Sequence, residues 1–312
     1  MNKLNIGSFL LLLFFVSAFY SCDSDVIQYE GPGHIMFSDS INVLPIQNNE
    51  TYFDIPITAT NTCVHDRIVA VEVDALHSNA IEDRHYTIES SSVVIKAGER
   101  VGNVRIRGMY DNIESGDSIG LVLRLIVDEK DEWDIYKENY QSKIILQKVC
   151  PFDINNFSGY AVLTSTYLAE FVPTSSQRLI YTKTDPDKEN TVILQDYFYD
   201  GYDVKVTFTT KDVLNPLIEM EEQTFASTAE AFGTLYGDGF IKMIQNPMGP
   251  SYYSTCENFL FQYMTIYVPG MPVGTNVVGS FANVVEWISD DAAKKIKIEH
   301  TMNIAQSAMF AD

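Results

Sequence analysis

The residues best suited to bind a ligand are tyrosines in loop-like segments. The chain holds 18 tyrosines and 18 phenylalanines against two tryptophans. An exposed tyrosine can stack its ring on the face of a sugar and form hydrogen bonds through its hydroxyl. Packing in a β-sheet core is the alternative role for such residues. The candidate ligand-binding residues, which cluster near Asp200-Gly201 and Gly249-Pro250, are Tyr197, Tyr199, Tyr202, Tyr252 and Tyr253.

Acid–base and nucleophilic catalysis have no well-formed motif in this sequence. Glu219, Glu221 and Glu222 could mimic the carboxylate pair of a glycosidase, but nothing in the pattern marks them as buried, so we interpret them as surface charge. The chain lacks the G-x-S-x-G and H-E-x-x-H motifs. We interpret His85 and Tyr86 as packing at the start of a strand. The sequence therefore predicts no catalytic residue and no enzyme.

Aspartates at loop edges are the candidate metal ligands of this sequence. Asp66, Asp74, Asp111 and Asp117 lie in acidic segments at the edges of predicted loops. Calcium needs six to eight oxygen ligands, usually converging from several segments, and no compact D-x-D-x-D-G run is present. Solvated turn carboxylates are the favoured interpretation. We predict no metal and no cofactor.

Three cysteines follow Cys22, namely Cys63, Cys150 and Cys256. An odd number in an exported chain leaves at least one free thiol or an intermolecular bond. Buried, unreactive thiols are the default for all three. If one pair forms a disulfide, it is Cys150 with Cys256, because both fall in the second half of the chain.

The N-terminus has the order of a secretory signal peptide. A single positive charge at Lys3 precedes an apolar run, and small residues follow before Cys22. The run is too short to span a bilayer as a helix, and the alternative is a buried helix of the fold. We predict a signal peptide over residues 1–21.

The segment around Cys22 resembles a bacterial lipobox, with Phe19-Tyr20-Ser21 before the cysteine. Asp23-Ser24-Asp25 is similar to the acidic surface-export signal of Bacteroidetes lipoproteins. The resemblance implies a lipid attached to Cys22, a membrane partner through that lipid, and a surface-exposed position on the outer membrane. Cleavage that leaves Cys22 as a free thiol is the alternative.

The formal charge of the chain is −21 at pH 7. Such a surface repels nucleic acid and anionic lipid, so no nucleic-acid partner is predicted. It suits solubility outside the cell, a neutral ligand or a basic partner. A solvated acidic surface without any binding role is the plainer interpretation.

Alternating hydrophobicity predicts strands along almost the whole chain after residue 34. Residues 22–34 contain Gly31-Pro32-Gly33 and are predicted to form a flexible tether. Residues 35–149 show about seven short segments of period two, such as Ile55, Ile57 and Ala59, at the spacing of a β-sandwich. Pro151 interrupts the strand pattern, and aromatic residues become denser after it. We therefore place a domain boundary there.

Residues 150–312 are predicted to form a second β-rich domain. Val204, Val206 and Phe208 alternate, and residues 259–267 form a long strand pattern. Helical character is confined to residues 290–300, with Ser289 as N-cap and acidic residues in the first turn. The fold class is thus all-β, with an immunoglobulin-like sandwich followed by a meander or barrel with one short late helix.

Residues 52–125 resemble a Calx-beta-like, immunoglobulin-type domain. The residues that carry this resemblance are Asp66-Arg67, Glu72-Val73-Asp74, Ser78-Asn79-Ala80, His85-Tyr86, Ala97-Gly98-Glu99 and Asp117-Ser118. The pattern is similar to two-domain surface lipoproteins of gut Bacteroidetes, a group with no assigned activity. The second half resembles the same group through Asn156-Phe157-Ser158-Gly159-Tyr160, Phe232-Gly233, Tyr236-Gly237-Asp238-Gly239 and Glu286-Trp287-Ile288. Its opening Phe-x-Gly-Tyr is also similar to lipocalin-like barrels.

Two functions of different class fit these observations. The first is a lipid-anchored, non-catalytic cell-surface module that binds a glycan or a protein. The alternative is a structural or assembly component of a surface complex. The first rests on the predicted location and the loop tyrosines, and the second on the predicted anchor and the immunoglobulin-like domain.

Overall fold

The computed structural model describes residues 33–116, 118–126, 139–172 and 175–309, with side chains described up to residue 299. The predicted signal peptide, Cys22 and most of the predicted tether lie outside these residues, as does Asp117.

The first half of the chain forms two sheets that pack face to face. One sheet has the strand order β1-β3-β7-β5 and the other β2-β9-β8-β4-β6. All strand pairs in these sheets are antiparallel except β2 with β9, which run parallel. The strands are β1 Ile35–Phe37, β2 Ile41–Ile46, β3 Tyr52–Ala59, β4 Arg67–Val73, β5 Tyr86–Ile88, β6 Ser92–Ile95, β7 Val101–Gly108, β8 Ile119–Ile126 and β9 Gln141–Lys148.

Alternation along each strand explains this sandwich. In β3 the side chains of Ile55, Ile57 and Ala59 are buried while their neighbours face outward, and β8 repeats the pattern. Successive side chains of a strand point to opposite faces, so each sheet offers one apolar face, and the two faces form a single hydrophobic core. The predicted immunoglobulin-like sandwich is confirmed.

The second half forms one ten-stranded antiparallel sheet. Its main path is β14-β13-β12-β11-β10-β19-β18-β16-β15, and β17 pairs with β18 beside that path. The strands are β10 Gly159–Ser165, β11 Gln177–Thr184, β12 Thr191–Gln195, β13 Val204–Phe208, β14 Ile218–Glu219, β15 Gln223–Ser227, β16 Phe240–Gln245, β17 Tyr252–Ser254, β18 Phe259–Tyr267 and β19 Val277–Trp287.

This sheet curls until its two ends meet. On one side, Leu217 forms a bridge with Tyr252, and the Tyr253 N–H donates to Pro216 O at 2.9 Å. On the other side, the Gln223 side chain forms the two hydrogen bonds that the backbone of a neighbouring strand would otherwise form. Its Oε1 accepts from Lys205 N at 2.6 Å and its Nε2 donates to Lys205 O at 2.8 Å. The result is a barrel, as the lipocalin-like alternative predicted.

Large side chains fill the interior of the barrel. Tyr167, Tyr197, Phe198 and Phe225 are fully buried there, together with aliphatic residues from every long strand. Small barrels of this kind are commonly filled by side chains. A ligand is therefore more readily placed on the outside of this barrel than within it.

Three α-helices of the described residues accompany the barrel: α1 Thr166–Phe171, α2 Thr228–Phe232 and α3 Asp290–Met309. The late helix begins at the predicted residue but runs past residue 300. The first two helices were not predicted, because they are only six and five residues long and start from serine caps, Ser165 and Ser227, that follow strands directly. Within the described residues, none of these helices combines the length and apolar character needed to cross a membrane.

Candidate binding cleft

Two of the five candidate tyrosines are core residues. Tyr197 is 0% exposed and donates from its hydroxyl to Gln262 Oε1 at 2.5 Å. Tyr253 is 4% exposed, and its hydroxyl donates to Thr209 O at 3.0 Å. Burial raises the pKa of both hydroxyls above the usual range. Their prediction as exposed loop contacts is corrected: Tyr197 packs in the barrel interior, and Tyr253 is a buried residue of β17, the strand that also holds Tyr252.

Tyr199 and Tyr202 belong to the compact turn that connects β12 and β13. The Tyr199 hydroxyl is 3.1 Å from that of Tyr167, and burial raises the pKa of Tyr199. Tyr202 is partly buried, and its carbonyl accepts from Tyr197 N at 3.0 Å. Asp196 Oδ1 accepts from Gly201 N at 2.6 Å and fastens the turn. Tyr199 therefore packs against the barrel core, whereas the contacts of Tyr202 are made by its backbone.

Tyr252 is the exposed member of the set. Tyr252 is 41% exposed. Neighbouring side chains of β17 point to opposite faces, so Tyr252 points away from the barrel core while Tyr253 points into it. Its ring stacks on that of Phe261 with centroids 5.2 Å apart and meets Phe259 edge-on at 6.2 Å. These contacts fix the ring orientation and leave part of its surface open to a ligand.

A cleft of about 700 Å³ lies between the sandwich and the barrel, and Tyr252 lines it. This volume is in the range of ligand sites. The barrel supplies residues from the β13–β14 loop and from β17 to β18, and the sandwich supplies the β2–β3 loop and the end of β9. The lining includes Gln47, Asn48, Asn49, Ser118, Ile145, Lys148, Thr210, Val213, Tyr252 and Glu257.

A disulfide and three polar contacts hold the junction beneath the cleft. Cys150 and Cys256 are bonded, with Cα atoms 5.2 Å apart, which confirms the predicted pairing. Thr255 Oγ1 donates to Cys150 O at 2.8 Å, and the Tyr110 hydroxyl donates to Cys150 Sγ at 3.4 Å. Ser115 Oγ donates to Glu257 Oε1 at 3.3 Å across the junction. The cleft walls are thereby tied to each other. Cys63 has a free thiol.

The residues that line the cleft can stack on a ligand and form hydrogen bonds with it, and few of them are charged. Amides come from Gln47, Asn48 and Asn49, where Asn49 Nδ2 donates to Gln47 Oε1 at 3.3 Å. Among the described lining residues, Lys148 and Glu257 are the charged side chains. The Lys148 ammonium lies 4.3 Å from the centre of the Tyr110 ring. The arrangement suits a hydroxyl-rich ligand with an apolar face.

The residues considered for catalysis lie outside the cleft: Glu219 is exposed on β14, and Glu221, Glu222 and His85 already have partners. Glu222 accepts from Lys242 Nζ at 2.6 Å and from the Tyr267 hydroxyl. The hydrogen bond from Lys242 is the main cause that lowers the pKa of Glu222, while burial and Glu222 raise the pKa of Tyr267 to about 12. Glu221 pairs with Lys188, and the buried His85 accepts from Ile81 N at 3.0 Å. These are structural contacts.

Two of the aspartates considered for calcium, Asp66 and Asp74, are similarly occupied, whereas Asp111 is exposed and Asp117 lies outside the described residues. Asp66 Oδ1 accepts from Ala97 N at 2.7 Å, and Asp74 accepts from Leu76 N at 3.1 Å. Asp74 Oδ2 is also 2.8 Å from His77 Nδ1, and this hydrogen bond is the main cause that lowers the pKa of Asp74. No cluster of three or more His, Cys, Asp or Glu residues suited to a metal ion occurs in the described ranges.

The sequence singles out Tyr252, which lines the cleft, but not the residues of the sandwich that line it. Gln47, Asn48 and Asn49 form a polar run between two strands, which has the composition of any solvated turn. Nothing local marks them as part of a site, because their partners across the cleft are about 200 residues away in the chain.

A sandwich and a barrel joined over a cleft define a two-part, all-β class of protein. The chain belongs to the family described as "Domain of unknown function (DUF4984)", whose model matches residues 137–299. That range contains the barrel, both bonded cysteines and Tyr252. No curated protein matches this chain.

Several solved structures are similar to the chain at low identity. A Bacteroides ovatus protein of unknown function is 10% identical, with a TM-score of 0.33, over 82% of this chain and 94% of that one. An auxiliary nutrient binding protein from Bacteroides thetaiotaomicron is 16% identical, with a TM-score of 0.32, over 80% and 90%. The calcium binding domain CBD12 of CALX1.1 is 10% identical, with a TM-score of 0.32, over 86% and 87%. Similarity at this level assigns no ligand to this chain.

Proposed function

We propose that this chain is a lipid-anchored cell-surface protein that binds a glycan without transforming it, and that the ligand occupies the cleft between the sandwich and the barrel. The observation that carries the proposal is the exposed, orientated ring of Tyr252 in the wall of a cavity of about 700 Å³. A fixed aromatic ring beside amides and hydroxyls matches the alternation of apolar faces and hydroxyl groups on a sugar.

The small number of charges supports a neutral ligand. The side chains of Lys148 and Glu257 are of opposite sign, and each already has a partner in the junction. An electrostatic partner would be expected to face a patch of one sign. Binding through stacking and neutral hydrogen bonds should be weak, in the micromolar range or looser, and nearly insensitive to salt.

The composition of the cleft also supports binding without catalysis. A glycosidase places two carboxyl groups on either side of the scissile bond. The described lining holds one carboxylate, that of Glu257, and its Oε1 accepts from Ser115 at 3.3 Å.

A glycan array with the mature protein tests the proposal, followed by calorimetry on the best-binding neutral glycan. Tyr252→Ala should weaken binding by about tenfold, the loss of roughly 1.4 kcal/mol. Tyr181→Ala is the matched control, because Tyr181 is 46% exposed and lies outside the cleft lining. Equal glycan binding by the two variants would show that the glycan does not bind in the cleft. Selective binding of peptides, with no glycan bound, would favour a protein ligand.

Anchoring is the second part of the proposal, and the residues that support it are the signal pattern over 1–21 and the lipobox-like segment before Cys22. Lipid chains stabilise membrane association by about 0.8 kcal/mol per buried CH₂, and stable anchoring needs more than one chain. Cys22→Ala should abolish labelling with palmitate and leave unprocessed precursor. Continued labelling of that variant would contradict the proposal.

A further inference from the structure

We propose that the cleft continues into a second subsite on the outer face of the sandwich, and that the ligand is an extended oligosaccharide rather than a single sugar. The inference rests on the proposed function of the cleft and adds the length of the ligand and a second set of contact residues.

A second cavity of about 340 Å³ lies beside the cleft. Its lining includes Leu76, His77, Asn79 and Lys143. Ser118 and Ile145 line both cavities. The two cavities therefore meet at Ser118, just before β8, and at Ile145 in β9, and in this proposal a chain seated against Tyr252 extends across these two residues.

The wall of this second cavity is held in place before any ligand binds. Asn79 Nδ2 donates to Ser118 O at 2.8 Å, and Asn79 Oδ1 accepts from Gly120 N at 2.7 Å. Ser78 Oγ accepts from Val122 N at 2.9 Å and donates to Asp74 O at 2.6 Å. These bonds fasten the β4–β5 loop to β8. A fixed wall lowers the entropy cost of binding.

The exposed groups on that wall suit a sugar. Leu76 is 92% exposed and offers an apolar surface. His77 Nδ1 lies 2.8 Å from Asp74 Oδ2, and this contact orients the planar imidazole ring next to Leu76. Lys143 adds hydrogen-bond donors from β9. This repeats the combination found in the cleft, an apolar platform beside polar groups.

An extended peptide fits this surface less well. Peptides commonly bind by adding a strand to an exposed sheet edge. The floor of the groove comes from β8 and β9, each of which is already paired on both sides, β8 with β4 and β9, and β9 with β2 and β8. The ligand must therefore be recognised by side chains on the sheet face.

Ladders of neutral gluco-, manno- and xylo-oligosaccharides, from about two to eight units, test the inference by calorimetry on the full mature protein. Affinity should rise at least about tenfold once the chain is long enough to engage both cavities, because the second contact becomes intramolecular. Leu76→Ala and His77→Ala should remove most of that gain for long chains and leave the affinity for short ones unchanged. Tyr252→Ala should weaken binding of both.

Val64→Ala is the control, because Val64 is 95% exposed and lines neither cavity. The second subsite would be overturned if affinity did not depend on the length of the oligosaccharide, or if the Leu76 and His77 variants behaved like the control. In either case, binding of short chains that depends on Tyr252 would still support the proposed function. Binding of none of the ladders would overturn the second subsite, while the glycan array decides the proposed function separately.

Discussion

At the scale of single residues, two neighbours in β17 have opposite environments. Tyr253 packs edge-on against Phe157 at 5.8 Å and Phe208 at 4.9 Å, inside the barrel. Tyr252 stacks on Phe261 outside it. These two adjacent tyrosines therefore have different roles: Tyr253 stabilises the barrel, and Tyr252 serves the proposed binding. The period of two in a strand separates them.

Tyr253→Ala should lower the free energy of unfolding by about 3–5 kcal/mol, the usual cost of deleting a large buried aromatic side chain. Tyr252→Ala should change it by less than about 1 kcal/mol, as for most exposed positions. Urea unfolding followed by circular dichroism measures both. Similar decreases in the free energy of unfolding for the two variants would mean that Tyr252 is a core residue. The main support for ligand binding in the cleft would then be lost.

At the scale of elements, a side chain makes one of the two closures of the barrel. Gln223 begins β15, and its amide bonds to the backbone of Lys205 in β13 as a neighbouring strand would. Only a side chain with both a donor and an acceptor at its end can make this pair of bonds. The two strands are thus joined without being paired along their length.

Gln223→Ala should lower the free energy of unfolding by about 1–3 kcal/mol, because it leaves the N–H and C=O of Lys205 without these partners. Gln223→Glu keeps the acceptor but sets a carboxylate oxygen against Lys205 O, so it should also lower the free energy of unfolding. Hydrogen exchange at the Lys205 amide should speed up in the alanine variant. Glu221→Ala, an exposed neighbour paired with Lys188, serves as the control. Unchanged exchange would show that the seam is held by other contacts.

The elements that the sequence predicted well are those with long alternation. Leu121, Leu123 and Leu125 in β8 could hardly pack as anything but a strand with one buried face. Strand β17 was missed as a strand because it has three residues after Gly249-Pro250, too few to show a period. The cleft could not be predicted, since Asn48 and Tyr252 become neighbours only through the packing of the two halves.

At the scale of the whole molecule, the buried hydrophobic residues of the described ranges, apart from Ala293, fall into two clusters, one between residues 37 and 146 and one between residues 157 and 285. A boundary near residue 150 remains our prediction for separately folding domains. Because Cys150 and Cys256 both follow that boundary, the disulfide would stay within the second domain.

Residues 35–149 and 150–312, expressed separately, should each unfold cooperatively, and limited proteolysis of the whole chain near residues 148–152 should give fragments of roughly 14 and 18 kDa. Calorimetry of the intact chain should then show two transitions that match the pieces. A single transition, or pieces that do not fold, would mean that the junction contacts at Cys150 and Glu257 make the chain one cooperative unit.

The disulfide also determines how the chain would carry mechanical load. A pull applied at the N-terminal side enters the barrel region at Cys150 and passes directly to Cys256, which is 106 residues further along. The intervening segment, which holds β10 to β17, is bypassed and cannot be stretched while the bond is intact. Reduction would release it and add about 350–380 Å of extensible chain. In an oxidising environment, most of the barrel is thus shielded from tension on the N-terminal side of the molecule.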